Sequence, residues 1–299
     1  MQWMYQEKRL KCILILLALI EKYSVREMEN WMKDIQDSGI RCILKEENIH
    51  FLSGHNADDT LVLTDSRDIS RKCAKNGYIC IGLDPCMETF FDGAEAVVAS
   101  ITDLDDIYMK ETFLRAKGFS VIIAETGRLR IREIIKEDIP ALYEISRQDG
   151  MDYAFIDQEQ AECFECERME AYISKVYRFW GYGLWTVETL QGEIIGCCGL
   201  SDLLVNDNKN AADKKEVLVL YNRYFDETQK CLVKNNLMLE LQYFVANRFQ
   251  NQGYGMEMCS AIMKYAQKRL SEYEICVRVC PENTASVRLA EKLGFIYQM

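Results

Sequence analysis

The stretch Val245-Ala-Asn-Arg-Phe-Gln-Asn-Gln-Gly-Tyr-Gly255 decides the fold, because it joins a predicted strand to a predicted helix through a glycine-containing turn. Within it, Gln250, Gly253 and Gly255 form the pattern Q-x-x-G-x-G. Glycines let a backbone approach a ligand closely, and the first N–H groups of a helix lack a partner within it. Such a turn favours phosphate or pyrophosphate. It matches neither a Walker loop nor a dinucleotide fingerprint, and by itself it is equally compatible with a plain connection.

The pattern around this turn predicts a mixed-sheet α+β domain over residues 127–299. A strand at 237–245 precedes the turn, and a helix at 253–270, a strand at 274–280 and a helix at 284–293 follow it. Upstream we predict a half-exposed strand at 128–134, helices at 137–147 and 165–180, and a hairpin of strands 184–188 and 193–199. Residues 204–236 are interpreted as a polar insertion with a short helix at about 217–227.

Residues 1–120 predict a separate, small parallel α/β domain. Strands are expected at 41–44, 60–64, 78–82 and 96–99, and helices at 24–38, 66–75 and 103–116. The apolar run at 12–20 is too short for a membrane span and lacks a signal-peptide cleavage site, so we interpret 4–22 as a buried helix.

Composition limits the chemistry. The chain has 36 lysine and arginine residues and 47 aspartate and glutamate residues, which gives a net charge of −11. This charge disfavours a nucleic-acid partner and suits an amine-bearing one. Two histidines exclude most catalytic zinc sites, and we predict no metal. Thirteen cysteines, an odd number along a long chain, predict reduced thiols and a cytoplasmic protein, and we expect no membrane partner.

Four ordered stretches from Arg128 onward resemble the GNAT N-acetyltransferases, in particular the branch of ribosomal-protein and spermidine acetyltransferases. They are R-L-R-I-R-E with a D-I-P helix, G-Y-G-L-W-T-V, the turn segment E-L-Q-Y-F-V-A-N-R-F-Q-N-Q-G-Y-G, and P-E-N-T-A-S-V-R-L-A-E-K-L-G-F. The resemblance implies acetyl-CoA as cofactor and direct attack by a primary amine, either a protein N-terminus, a polyamine or another small amine. The alternative is a catalytically silent module that binds acyl-CoA and regulates.

The resemblance also implies where acetyl-CoA binds. Its pyrophosphate would lie on the backbone amides of Gln252, Gly253, Tyr254 and Gly255, with Gln250 completing the motif. The pantetheine would follow the strand that ends near Phe244 and Val245, where a backbone N–H polarises the thioester carbonyl. Asn283 would contact the cofactor and also cap its helix. Arg248, Lys264 and Lys268 are either phosphate ligands or solvated surface charges.

Glu240 is the candidate base, because amine attack requires a neutral amine. The alternative is that Glu240 pairs with an arginine of a neighbouring strand. Many relatives place a tyrosine in the last helix to protonate the CoA thiolate, but that position here is Ala290. Ser286 is the substitute that the ribosomal-protein branch suggests, unless its hydroxyl only bonds the first turn of the helix.

The choice of acceptor is expected to depend on the first two helices of this domain and the loops around them. Carboxylates and aromatic rings there suit an ammonium group, or alternatively form a small core: Asp149, Asp152, Tyr153, Trp180, Tyr182 and Trp185. The family fold normally continues beyond Phe295 through a further strand pair, so the last strand is expected to be missing and the sheet edge open. A homodimer is one way to cover that edge.

The first domain resembles the last part of haloacid-dehalogenase-type hydrolases. Leu61-Val-Leu-Thr-Asp-Ser-Arg-Asp68, Gly77-Tyr-Ile-Cys-Ile-Gly82 and Phe91-Asp-Gly-Ala-Glu-Ala-Val-Val98 carry the likeness, which implies Asp65 and Asp68 as a magnesium pair. The D-x-D nucleophile segment is missing, so phosphotransfer is not supported. We therefore expect a degenerate, non-catalytic HAD-like domain.

Overall fold

The computed structural model describes residues 9–18, 23–46, 52, 54–148, 169, 171–173, 175–177, 180–202, 218–222 and 238–297. The chain forms two compact units, Met1–Val121 and Ile122–Met299. Among the described residues, no helix combines the length and the apolar character needed to span a bilayer.

The first unit is built on a parallel sheet of five strands in the order β2-β1-β3-β4-β5. The strands are β1 (Cys12–Leu17), β2 (Arg41–Glu46), β3 (Thr60–Thr64), β4 (Ile79–Leu83) and β5 (Ala96–Val98). The described part of this unit also contains three α-helices: α1 (Val25–Asp37), α2 (Arg67–Lys75) and α3 (Asp106–Ala116). Ser24, Ser66 and Asp105 cap these helices through their side-chain oxygens.

The helix predicted at 4–22 is wrong where the structure describes it, because Cys12–Leu17 is the strand β1 between β2 and β3. Ile13, Ile15 and Leu17 face one apolar cluster, whereas Leu14 and Leu16 face another. A strand buried on both faces is a continuous apolar run, and periodicity does not separate such a run from a buried helix.

The second unit contains one mixed sheet of eight strands in the order β13-β10-β12-β11-β9-β8-β7-β6. Its strands are β6 (Ile122–Glu125), β7 (Leu129–Glu133), β8 (Leu184–Thr189), β9 (Ile194–Asp202), β10 (Leu218–Asn222), β11 (Met238–Val245), β12 (Glu274–Val279) and β13 (Phe295–Tyr297). The helices are α4 (Ile139–Gln148), α5 (Tyr254–Arg269) and α6 (Thr284–Lys292), and described residues between 169 and 180 are also helical. The mixed-sheet fold is confirmed.

The strand β10 corrects two predictions. The short helix expected at 217–227 is a strand at Leu218–Asn222, and it lies between β12 and β13, antiparallel to both. The sheet was expected to lack its last strand and to end in an open edge, but β10, which belongs to the predicted insertion, lies next to β12, and β13 lies beyond it at the edge. Leu220 is fully buried there in the main core of the unit.

The alternation of charged and apolar residues predicted a half-exposed strand at 128–134. This prediction is wrong, because β7 is buried along its whole length. Arg132 donates to Asp138 at 2.6 and 2.8 Å and to Glu188 at 3.0 Å, while Arg130 donates to Glu188 at 3.1 Å. Buried charges are tolerated when they are paired and hydrogen-bonded in this way.

Candidate functional site

A wedge opens between the two parallel strands at the centre of the second sheet. β11 and β12 pair only from Met238 to Glu240, opposite Glu274 to Cys276, and then diverge. A cavity of about 720 Å³ fills the space between them. Residues of both strands line it, together with the turn before α5 and the first turns of α6.

The turn before α5 presents free backbone amides to this wedge. Asn251 and Gly253 adopt positive φ values of 59° and 82°. Helix α5 begins at Tyr254, and the amide of Glu257 is bonded to the Gly253 carbonyl. The N–H groups of residues 254–256 thus have no partner within the helix, as expected of a helix start. Such an arrangement favours an anion.

Arg128, the residue before β7, fixes this turn. Its Nη1 donates to the Gln252 carbonyl at 3.0 Å, its Nε donates to Glu257 at 2.7 Å, and its guanidinium lies 4.2 Å from the centre of the Tyr254 ring. Burial raises the pKa of Glu257, but hydrogen bonds from Thr126 and Arg128 outweigh burial, so that pKa is lowered overall. The turn is therefore held in place before any ligand binds.

The end of β11 directs one backbone amide into the wedge. The Ala246 amide donates to Ile195 of β9 at 2.9 Å. Because N–H directions alternate along a strand, the Val245 amide faces the opposite side, toward the diverging β12. On that side the Gln250 side chain donates to the Val245 carbonyl at 2.9 Å. Gln250 thus orders the turn.

Glu240 lies at the inner end of the wedge and is only 5% exposed. Its Oε2 accepts hydrogen bonds from Arg278 of β12 at 2.6 Å and from Gln242 at 3.4 Å. This ion pair is the one that the alternative interpretation of Glu240 predicted, namely pairing with an arginine of a neighbouring strand. Both bonds go to the same oxygen, so Oε1 makes no hydrogen bond with the described residues.

Ser286 and Asn283 lie on the opposite wall. The Asn283 side chain accepts the Ser286 amide at 3.1 Å and caps α6. The Ser286 hydroxyl makes no hydrogen bond with residues in the described ranges and is partly exposed along the cavity. Ala290, at the position of the family tyrosine, is buried.

Eight of the ten predicted site residues line the cavity: Glu240, Phe244, Val245, Gln250, Gly253, Gly255, Asn283 and Ser286. Gln252 belongs to the turn before α5 and Tyr254 is the first residue of α5, but neither lines the cavity. The Gln252 side chain donates to the Arg248 carbonyl, and the Tyr254 ring packs against Phe249.

The three cations that were candidate phosphate ligands do not line the wedge. Arg248 pairs with Glu193 at 2.9 Å and borders a second cavity of about 570 Å³ next to α4, whereas Lys264 and Lys268 are exposed outside both cavities. Three cations that sequence reasoning missed line the wedge instead: Arg278, Arg288 and Lys292. The spacing of Arg288 and Lys292 on one helical face was the available signal.

Of the predicted acceptor residues, Asp149, Asp152 and Tyr153 lie outside the described residues. Trp185 is fully buried, and the Tyr182 hydroxyl donates to Asp202 at 2.6 Å, so both belong to the core of the hairpin. Trp180 is 45% exposed.

The predicted magnesium pair of the first unit is engaged in protein contacts. Asp65 accepts the Ala18 amide at 2.6 Å, and Asp68 pairs with Arg71 at 3.4 Å. Within the described residues, no group of three or more histidine, cysteine, aspartate or glutamate side chains is placed to hold a metal ion. The HAD-like interpretation stays a prediction.

Several known proteins are similar to this chain. The uncharacterized protein YkkB of Bacillus subtilis (strain 168) is 31% identical over 65 residues, which are 22% of this chain. That match spans only 38% of the length of YkkB. Among solved structures, spermidine N-acetyltransferase from Vibrio cholerae in complex with CoA and spermine is 18% identical, with 58% of this chain and 84% of the other covered and a TM-score of 0.41.

A GNAT-family acetyltransferase from Bacillus anthracis is 23% identical over 57% of this chain and 81% of its own, with a TM-score of 0.36. The family model described as "Acetyltransferase (GNAT) domain" matches residues 128–296, which is more than half of the chain. The matched range contains the wedge, the amide-rich turn and Arg128. The chain therefore belongs to the GNAT acetyltransferase family.

Proposed function

We propose that this protein transfers the acetyl group of acetyl-CoA to a primary amine. The observation that carries the proposal is the wedge between β11 and β12, which opens beside the free amides at the start of α5. The wedge suits CoA because it combines an anion-binding turn, a strand edge with an inward amide, and three cations at Arg278, Arg288 and Lys292.

When bound, acetyl-CoA supplies the activated acetyl group as a thioester. The amides of residues 252–255 bind the pyrophosphate, and Arg128 keeps their turn in the required shape. The Val245 amide donates to the thioester carbonyl oxygen and stabilises the negative charge that develops there. One preorganised donor of this kind contributes about 3 kcal/mol to transition-state stabilisation.

Glu240 accepts the proton of the attacking amine, directly or through a water, at Oε1, which makes no hydrogen bond with the described residues. Arg278 and Gln242 hold Oε2 and so orient the carboxylate. Ser286, across the cavity, donates to the departing thiolate.

The acceptor belongs to the class of primary amines: a protein N-terminus, a polyamine or another small amine. The net charge of −11 favours a cationic acceptor over an acidic one. We further propose a cytoplasmic location, because all ten cysteines within the described residues are free thiols. A homodimer stays a prediction.

A second candidate is an acyl-CoA-binding module without turnover. One observation favours it: Glu240 is already ion-paired to Arg278 at 2.6 Å, so its proton-accepting capacity depends on Oε1 alone.

The test combines binding and turnover. We expect CoA and acetyl-CoA to raise the melting temperature, by an amount set by ligand concentration relative to Kd, whereas ATP gives a smaller rise. CoA release from acetyl-CoA should then exceed background with at least one amine among polyamines, amino acids and N-terminal peptides. Binding without any release would establish the silent module, and no stabilisation by either CoA species would reject both candidates.

Glu240→Gln tests the assigned base. The amide keeps the shape of the side chain but accepts no proton at neutral pH, so kcat should fall about 100-fold with the Kd of CoA nearly unchanged. Glu193→Gln is the matched control, since Glu193 is a half-exposed carboxylate outside the wedge. Equal turnover of Glu240→Gln and the control would reject Glu240 as the base.

A further inference from the structure

The hydroxyl of Tyr243 is a buried polar group that the fold leaves unpartnered. Tyr243 belongs to β11 and lines the wedge, and its hydroxyl oxygen makes no hydrogen bond of ordinary geometry with the described residues. Buried tyrosine hydroxyls usually find a partner, because an unsatisfied one costs about 1–3 kcal/mol. A buried donor without a partner inside a functional cavity calls for an explanation.

The surroundings of this hydroxyl point to Ser286. The Tyr243 ring packs against the core of the second unit, which fixes its direction. Ser286, in the first turn of α6, is the polar side chain near the Tyr243 hydroxyl. The thiols of Cys198 and Cys259 are the titratable groups near it. Ser286 is partly exposed along the cavity, whereas the Tyr243 oxygen is covered.

We propose that Tyr243 is a positioning residue for Ser286, whose hydroxyl it orients and polarises toward the sulfur of the departing CoA. The inference rests on the proposed function. Ala290, one turn after Ser286 on α6, has no polar group that could orient the serine hydroxyl. The proposal assigns this orientation to Tyr243, a residue of the strand β11.

The chemistry balances without an added reagent. When the amine nitrogen bonds to the acetyl carbon, the carbon–sulfur bond breaks and its electron pair goes to sulfur. Ser286 donates its hydroxyl proton to that thiolate and recovers one from solvent, while the proton lost by the amine passes through Glu240 to solvent. Tyr243 forms and breaks no covalent bond: with CoA bound, its O–H would donate to Ser286 Oγ, so that the serine proton points to sulfur. Chained hydrogen bonds of this type strengthen one another.

The protonation state of Tyr243 agrees with this role. Burial raises its pKa to about 12, and the neighbouring Ser286 hydroxyl only partly opposes the rise. The hydroxyl therefore keeps its proton, and remains a donor, throughout the neutral pH range.

The test measures the thiol of bound CoA rather than turnover. Thiolate formation is followed by ultraviolet absorbance in a pH titration of the full-length protein saturated with CoA. Free alkyl thiols have a pKa of about 8.5. We expect the pKa of bound CoA to lie below that of free CoA, and to rise by about one unit in Tyr243→Phe and in Ser286→Ala.

The double variant separates a relay from two independent donors. If Tyr243 acts through Ser286, Tyr243→Phe combined with Ser286→Ala should shift the pKa no further than Ser286→Ala alone. Tyr265→Phe is the matched control, because it removes a hydroxyl that donates to Gly181 outside the wedge. Tyr243→Phe should keep the Kd of CoA and should not lower the melting temperature, since the deleted hydroxyl has no hydrogen-bond partner among the described residues of the unliganded protein.

Each other outcome overturns a definite statement. An unchanged thiol pKa in Tyr243→Phe rejects the role of Tyr243, while CoA binding still supports the proposed function. Additive shifts in the double variant reject action through Ser286. Failure of the wild-type protein to bind CoA rejects the proposed function itself, and the inference with it.

Discussion

At the scale of single residues, Gly253 carries the conformational demand of the cofactor turn. Its φ of 82° is a left-handed conformation at the N-terminus of α5, where side-chain-bearing residues are strained by about 1–2 kcal/mol. Neighbouring Asn251 meets a similar demand at 59°, and asparagine tolerates that region better than most residues. Together they turn consecutive amides toward one side.

We predict that Gly253→Ala weakens CoA binding about tenfold, because the strained turn shifts the amides that face the pyrophosphate. Isothermal titration calorimetry measures the Kd. Gly192→Ala is the matched control: Gly192 has a φ of 87° in the hairpin turn between β8 and β9 and does not line the wedge, so the substitution introduces a similar strain outside the proposed cofactor site. Equal Kd values for the two variants would contradict the assignment of the turn.

At the scale of elements, β10 is the strand that joins β13 to the rest of the sheet. It pairs with β12 from Leu218 to Tyr221 and with β13 from Leu220 to Asn222. Leu220, at its centre, is fully buried among residues of the main core. A strand in this place contributes to the stability of the wedge, because β12 is one of the two walls.

We predict that Leu220→Ala lowers the free energy of unfolding by about 2–5 kcal/mol, as expected for a leucine truncated in a packed core. Leu239→Ala in β11, equally buried, should cost a similar amount, whereas Ile296→Ala in β13, 37% exposed, should cost clearly less. Chemical denaturation of the three variants gives the comparison. A loss below about 0.5 kcal/mol for Leu220→Ala, the usual range of surface substitutions, would show that β10 is not part of this core.

The elements also show where sequence reasoning reaches its limit. The strand β11, the turn and α5 were predictable because their signals are local: alternation, two glycines and an amphipathic helix. The strands β1 and β10 were predicted as helices because each is defined by distant partners. Leu218–Asn222 pairs with residues 276–279 and 295–297, more than fifty positions later. Likewise, an ion pair between Glu240 and an arginine of a neighbouring strand was one of two open interpretations. The sequence alone does not show that β12, which carries Arg278, lies next to β11.

At the scale of the whole molecule, each unit contains its own apolar core. The first unit packs both faces of its parallel sheet, and the second packs α5 and α6 against its mixed sheet. The described residues that line the wedge all fall between 240 and 292, and the clamp from Arg128 belongs to the same unit. The chemistry we propose therefore needs only the second unit.

We predict that residues 122–299 expressed alone fold cooperatively and bind CoA with a Kd within about threefold of the full chain, since the contacts described for the turn all lie within this range. A shorter fragment, 128–299, is the informative comparison. It lacks β6 and Thr126, whose hydroxyl donates to Glu257 at 2.6 Å beside the Arg128 clamp, and it leaves β7 as an exposed edge. Calorimetry and circular dichroism should show weaker binding and a lower melting temperature for 128–299 than for 122–299. If 122–299 fails to fold while the full chain binds CoA, the second unit depends on the first and the two are not independent domains.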